Sequence, residues 1–247
     1  MPRIVLALVL LATLLLGRGL GHFYLSNMAE GTPEIPTRNV FLTSRGEFPG
    51  KKRVLRLNQV PCYTWQIASL EEKKEALKIG KQWSLKGYPV IITGEGPFEV
   101  LLGLVNQKEG FNTLEIPGEL KEDCLNKIAF KFAAEDFESA EKIAPFLGQV
   151  SLCLEKGLFL YPHFVLNEEL ALCRPKFVQL ADSLLEVAQI GEKIEEEAIL
   201  QLVKLCVEWE MSLRLMEKEW TQAAYLKSQQ QALVLLEEYH RFLKQTN

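Results

Sequence analysis

Between Pro61 and Val105 the hydrophobic period changes twice, and this switch restricts what the chain can fold into more than any other feature. Tyr63, Trp65 and Ile67 alternate with Thr64, Gln66 and Ala68, the two-residue period of a strand with one face on a core and one more polar face. Ser69 stands three residues before Glu72, a spacing that predicts a capping box at a helix start. Ala76, Ile79, Gly80 and Trp83 then recur at helical spacing, and Gly87 supplies a C-terminal stop. Tyr88 to Thr93 reads as a second strand, its Pro89 tolerable near the start, and the turn Gly94 to Pro97 leads into a third strand, Phe98 to Val105. A helix between the first two strands demands a crossover, and the short turn before the third demands a hairpin. The expected product is a small α+β layer with a helix on one face and an open sheet face on the other.

Ahead of this layer, Ile4 to Leu16 contains nothing more polar than Thr13 and is preceded only by Met1, Pro2 and Arg3. A helix of that length rises only about 20 Å, short of the roughly 30 Å hydrocarbon core. Extension to Leu25 gives adequate length, and Arg18 can then snorkel toward the interface that Phe23 and Tyr24 would mark. Residues 1–25 are therefore expected to be a transmembrane anchor. The competing reading is a cleaved secretory signal, against which stand the bulky Phe23, Tyr24 and Leu25 after the weak Gly19-x-Gly21 pair. On either reading the remainder of the chain lies outside the cytoplasm. Residues 26–58, with Pro33, Pro36, Pro49, several glycines and the basic triplet Lys51-Lys52-Arg53, read as a flexible linker.

The segments Tyr63-Thr64-Trp65-Gln66-Ile67-Ala68-Ser69-Leu70, Lys86-Gly87-Tyr88-Pro89-Val90 and Phe98-Glu99-Val100-Leu101-Leu102-Gly103 resemble the SPOR (sporulation-related repeat) domain of bacterial envelope proteins. The resemblance covers about residues 61–114. It implies a ferredoxin-like βαββ(αβ) fold and binding of peptidoglycan, especially denuded glycan strands, on the exposed sheet face. It also implies a setting in sporulation or cell division. Carried over by position, it nominates Gln66, Ser69 and Glu99 as glycan-binding residues. A carboxamide projecting from a sheet donates and accepts hydrogen bonds, which suits sugar hydroxyls and N-acetyl groups. Ser69 has a competing duty as the helix cap. Glu99 departs from the family, which often carries arginine in this strand, and a carboxylate lacks those donors.

The second half departs further, because Asn106 to Leu114 is short and Pro117-Gly118 breaks the pattern beyond it. A delayed closing strand is expected at Lys127 to Ala133, which places the layer at residues 59–135. Residues 136–247 read as a helical bundle of three or four helices. Phe137, Ala140, Ala144 and Leu147 share one helical face, with Pro145 expected to kink or break it. A second helix spans Pro175 to Ile190. In a third, Ile199, Leu202, Cys206, Trp209, Leu213, Met216 and Trp220 form an amphipathic seam suited to packing within the bundle or to self-association. The pattern lapses around Lys227 to Gln231 and resumes from Leu233 to Leu243.

Enzyme chemistry has little to stand on. His22, His163 and His240 lack neighbours at triad or metal spacing, and Gly94-x-Gly96 precedes a strand rather than a phosphate-cradling helix. The five cysteines form no CxxC pair, and a net charge of −4 offers no basic face for nucleic acid. The composite expectation is a single-pass, cell-membrane protein, mostly extracytoplasmic and non-enzymatic, with no cofactor or metal, that binds glycan strands through the SPOR-like layer. The alternative is an envelope assembly protein whose SPOR-like layer makes protein contacts without glycan.

Overall fold

The computed structural model describes residues 53–55, 59–112, 115–125, 130–132, 137–164, 166 and 168–245. The expected anchor and most of the expected linker lie outside the described residues. The exception is the short strand β1 (Arg53–Leu55), which pairs antiparallel with β6 (Phe130–Phe132). The stretch expected to close the main sheet thus pairs instead with the end of the expected tether. The main sheet comprises β2 (Val60–Leu70), β3 (Val90–Thr93), β4 (Phe98–Val105) and β5 (Glu119–Leu125), in the order β3-β4-β2-β5. All neighbouring pairs are antiparallel, so β2 and β3 run the same way with β4 between them, a split β-α-β arrangement. Helix α1 (Lys73–Leu85) makes the crossover. A single 3-10 turn (Lys108–Phe111) occupies the second crossover, and closure falls to β5.

Helix α1 lies on the face that carries Val100 and Leu102, and its Gly80 sits against the Ile92 side chain. It ends where Gly87 takes φ +87°, with the Gly87 and Lys86 amides donating to Ser84 and Trp83 carbonyls. Its start differs from expectation. Glu72 is the N-cap residue, with no side-chain cap bond, while Ser69 is still in the extended strand. The sheet pairing with Glu99 and Phe98 holds Ser69 and Leu70 in β2, so no capping box forms.

Five helices complete the chain: α2 (Phe137–Leu160), α3 (Glu168–Ala171), α4 (Arg174–Gly191), α5 (Glu197–Lys218) and α6 (Gln222–Gln245). Pro145 does not divide α2. It faces solvent, while Ala144, Phe146 and Leu147 beside it are buried. Within α2, Lys142–Leu160 is long and apolar enough to cross a membrane by length and composition, but most of it is buried in the fold. The expected seam is consumed within the chain, where α5 packs between α4 and α6 and Trp209 is fully buried, although Trp220, its last member, lies past the end of the helix at Lys218. Cys62, Leu104, Leu125 and Phe130 join the helices in one core, and the described residues all belong to one compact unit, Leu42–Asn247. Residues 59–135 and 136–247 are therefore not separately packed.

Their junction is the loop after α2. The Tyr161 carbonyl accepts from Asn106 N–H, and Phe164 N–H donates to the Gly110 carbonyl. From the other side, the Tyr225 hydroxyl and the Gln229 amide both donate to the His163 carbonyl, at 2.8 and 3.1 Å. Below the loop, Trp209 Nε1 donates to the Tyr161 hydroxyl, which donates to Ser228 Oγ, itself a donor to the Tyr225 carbonyl. A backbone segment that leaves both helix and sheet must find such partners when buried.

Candidate functional site: the second sheet face

Cys62, Thr64 and Gln66 point to the face opposite α1, together with Ile91, Thr93, Glu99, Leu101 and Lys121, as the strand registers require. This face was expected to be open. It is covered by α6, which sends Leu233, Leu236, Glu237 and His240 toward it. The burial pattern of β2 is accordingly the reverse of the sequence reading. Cys62, Thr64 and Gln66 are buried, whereas Tyr63, Trp65 and Ile67 are half-buried. Both faces are covered, so polarity does not identify the outer one.

Two contacts fix α6 on the sheet. The Gln230 carboxamide bonds the outer edge of β3 twice: its Oε1 accepts from Val90 N–H, and its Nε2 donates to the Val90 carbonyl at 3.0 Å. Seven residues further along the helix, Glu237 Oε1 accepts from the Thr93 hydroxyl at 2.7 Å. An edge strand otherwise presents such groups for pairing with another chain, and here a side chain blocks that edge.

The three candidate glycan residues do come together, for a reason that their spacing hides. Ser69 is three positions from Gln66, and in a regular strand the two would point to opposite faces. The β2–β4 register slips between Gln66 and Ala68, so Gln66 is opposite Leu101 while Ser69 is opposite Glu99. A bulge at Ile67 therefore brings all three to one face. Their accessibilities differ. Ser69 is exposed, Glu99 is half-buried, and Gln66 retains only 8% exposure.

Lys121 of β5 is the member that sequence reasoning missed. Its Nζ donates to Gln66 Oε1 at 3.2 Å and to Glu99 Oε1 at 2.5 Å, so one ammonium ties the carboxamide to the carboxylate. Opposite charge within reach of Glu99 was the only available signal, and the interruption at Pro117-Gly118 concealed that Lys121 lies in a strand. The carboxamide oxygen expected to meet sugar is thus already engaged and nearly sealed from water. Among the described residues no group of three or more His, Cys, Asp or Glu side chains is arranged to hold a metal ion.

Comparison with known proteins gives no relatives: no family model, no curated protein and no solved structure matches this chain.

Proposed function

We propose that this chain is a membrane-anchored, extracytoplasmic, non-enzymatic assembly protein of the cell envelope, whose SPOR-like layer is committed to its own helices and to protein contacts rather than to glycan. The observation that carries the reading is the burial of Gln66, whose carboxamide is held by Lys121, on the sheet face that α6 partly covers. The helix on this face is no loose strap. Tyr225, Leu235 and Tyr239 of α6 are fully buried in the main core, so lifting α6 off the sheet would dismantle that core. The apolar run Ile4 to Leu16 supports the anchor, and the segment Tyr63 to Leu70 supports the SPOR-like layer.

One observation favours the second reading, binding of peptidoglycan glycan strands in sporulation or cell division. The bulge at Ile67 aligns Ser69 with Glu99 at the rim of the face, where both retain contact with solvent. Co-sedimentation of the purified full chain with sacculi separates the two. The assembly reading predicts no retention above background at low or high salt. Retention that disappears in Ser69→Ala or Gln66→Ala would establish glycan binding instead.

A further inference from the structure

Helix α6 does not fill the space above the sheet. Its contacts at Gln230–Val90 and Glu237–Thr93 set it alongside β3, since seven helical residues and three strand residues both advance roughly 10 Å. Between α6 and the strands β2 and β5 a cleft of about 330 Å³ remains. That is space for on the order of ten waters, and it falls at the small end of ligand sites.

The cleft has an apolar middle, formed by Ile91 and Leu101 of the sheet facing Leu233 and Leu236 of α6. The lining carries the carboxylates Glu99, Glu122, Asp123 and Glu237, the ammonium groups of Lys121 and Lys244, and the His240 imidazole. Glu99 and Lys121 neutralise each other. Glu237 is different: it is half-buried, its Oε1 is oriented by the Thr93 hydroxyl, and no cation of the described residues forms an ion pair with it. Thr64, on the floor of the cleft and 4% exposed, has a buried hydroxyl with no hydrogen-bond partner among the described residues. A half-buried carboxylate without a counter-ion, held at one fixed orientation beside an apolar channel, is complementary to a cation carried on a short alkyl chain.

We infer that this cleft binds a small primary alkylammonium compound, with its ammonium on the Glu237 carboxylate and its chain between Ile91, Leu101, Leu233 and Leu236. Glu237 supplies the charge and Thr93 orients it. The proposal stands independently of whether the sheet meets glycan.

The test is titration of the full chain with 1-aminobutane, monitored by calorimetry and by the chemical shifts of the Thr93 and Leu236 methyl groups. Butan-1-ol and butanoate serve as neutral and anionic comparators. The expected result is saturable binding of the amine, at least about tenfold tighter than the alcohol, with no binding of butanoate. In Glu237→Gln, which preserves shape and removes charge, the preference for amine over alcohol disappears. Glu122→Gln, at the exposed rim, leaves it within about twofold. Glu237→Asp, which keeps the charge but retracts it, retains the preference at reduced strength. Absence of saturable binding, equal affinity for the alcohol, or an unchanged preference in Glu237→Gln would each overturn the proposal.

Discussion

At the scale of single residues, backbone irregularities decide which side chains meet. Gly103 has φ +64° inside β4, and a Cβ built there would fall 2.4 Å from the Phe164 ring. Gly103→Ala therefore meets both a left-handed backbone and a filled site. It should lower stability by about 2–4 kcal/mol, measured by urea unfolding, whereas a loss below about 0.5 kcal/mol would mean that Phe164 does not pack there. The bulge at Ile67 acts in the same way on the candidate glycan residues, because it places Ser69 opposite Glu99 and on the face of Gln66. Neither irregularity was legible. The alternation of Tyr63, Trp65 and Ile67 located the strand and the family resemblance nominated Gln66, but period-two reasoning assumes a regular pleat, and an inserted residue changes the face of everything after it. Lys121 was hidden for another reason: a long-range pair that depends on strand order leaves no local pattern.

At the scale of elements, the most informative stretch is the one where the apolar pattern of the last helix fails. Lys227 to Gln231 looks like a lapse, yet α6 runs through it without a break, and the helix boundary falls earlier, at Glu219–Thr221. Ser228 and Gln229 are fully buried there. Their polar groups serve the Tyr161–His163 loop, and Gln230 serves the edge of β3. Hydrophobic periodicity finds helix faces that meet other apolar faces. It is blind to a face that meets exposed backbone. Removing the two-point bond in Gln230→Ala should cost about 1–2 kcal/mol and speed amide exchange at Val90 more than at the other β3 positions. Uniform exchange along β3 in that variant would contradict the edge contact. The segments Pro175 to Ile190 and Ile199 to Met216, by contrast, were readable as helices because their apolar faces pack on apolar partners.

At the scale of the whole molecule, layer and helices stand or fall together. A chain shortened before Gln222 loses Tyr225, Leu235, Leu236 and Tyr239 from the common core. It should therefore fail to give a cooperative unfolding transition, rather than yield a folded layer with an uncovered sheet face. A cooperative transition with native β-sheet dichroism would show that the layer is autonomous after all. The same core predicts an alkaline limit. Burial pushes the phenols of Tyr161, Tyr225 and Tyr239 above their ordinary value of 10.0, against the lowering effect of hydrogen bonds such as those of Ser228 and Trp209 on Tyr161. The Cys153 thiol is pushed up to about 12 from 9.0 by the same burial. These acids keep protons in the native state that the unfolded chain releases. Their contribution is complete below about pH 9 and is lost as pH rises through 10 and beyond, at about 1.4 kcal/mol per pH unit for each group. The urea midpoint should hold up to about pH 9 and fall steeply above 10, with the ring resonances of Tyr161, Tyr225 and Tyr239 reporting ionisation only together with unfolding. Ionisation of any of these three phenols in a still-folded protein would contradict it.

The closure of the second sheet face at Gln66 can be measured most directly by thiol labelling of two variants on one strand. Gln66→Cys places a thiol at the sealed position, and Ser69→Cys places one on the same face at its exposed rim, each tracked site by site by mass spectrometry under native conditions. With that face closed, Cys at 69 should react at nearly the rate of a free thiol, and Cys at 66 at least about a hundredfold more slowly, through opening of the fold. Equal rates at the two positions would mean that the face is open to solvent and available to a sugar polymer.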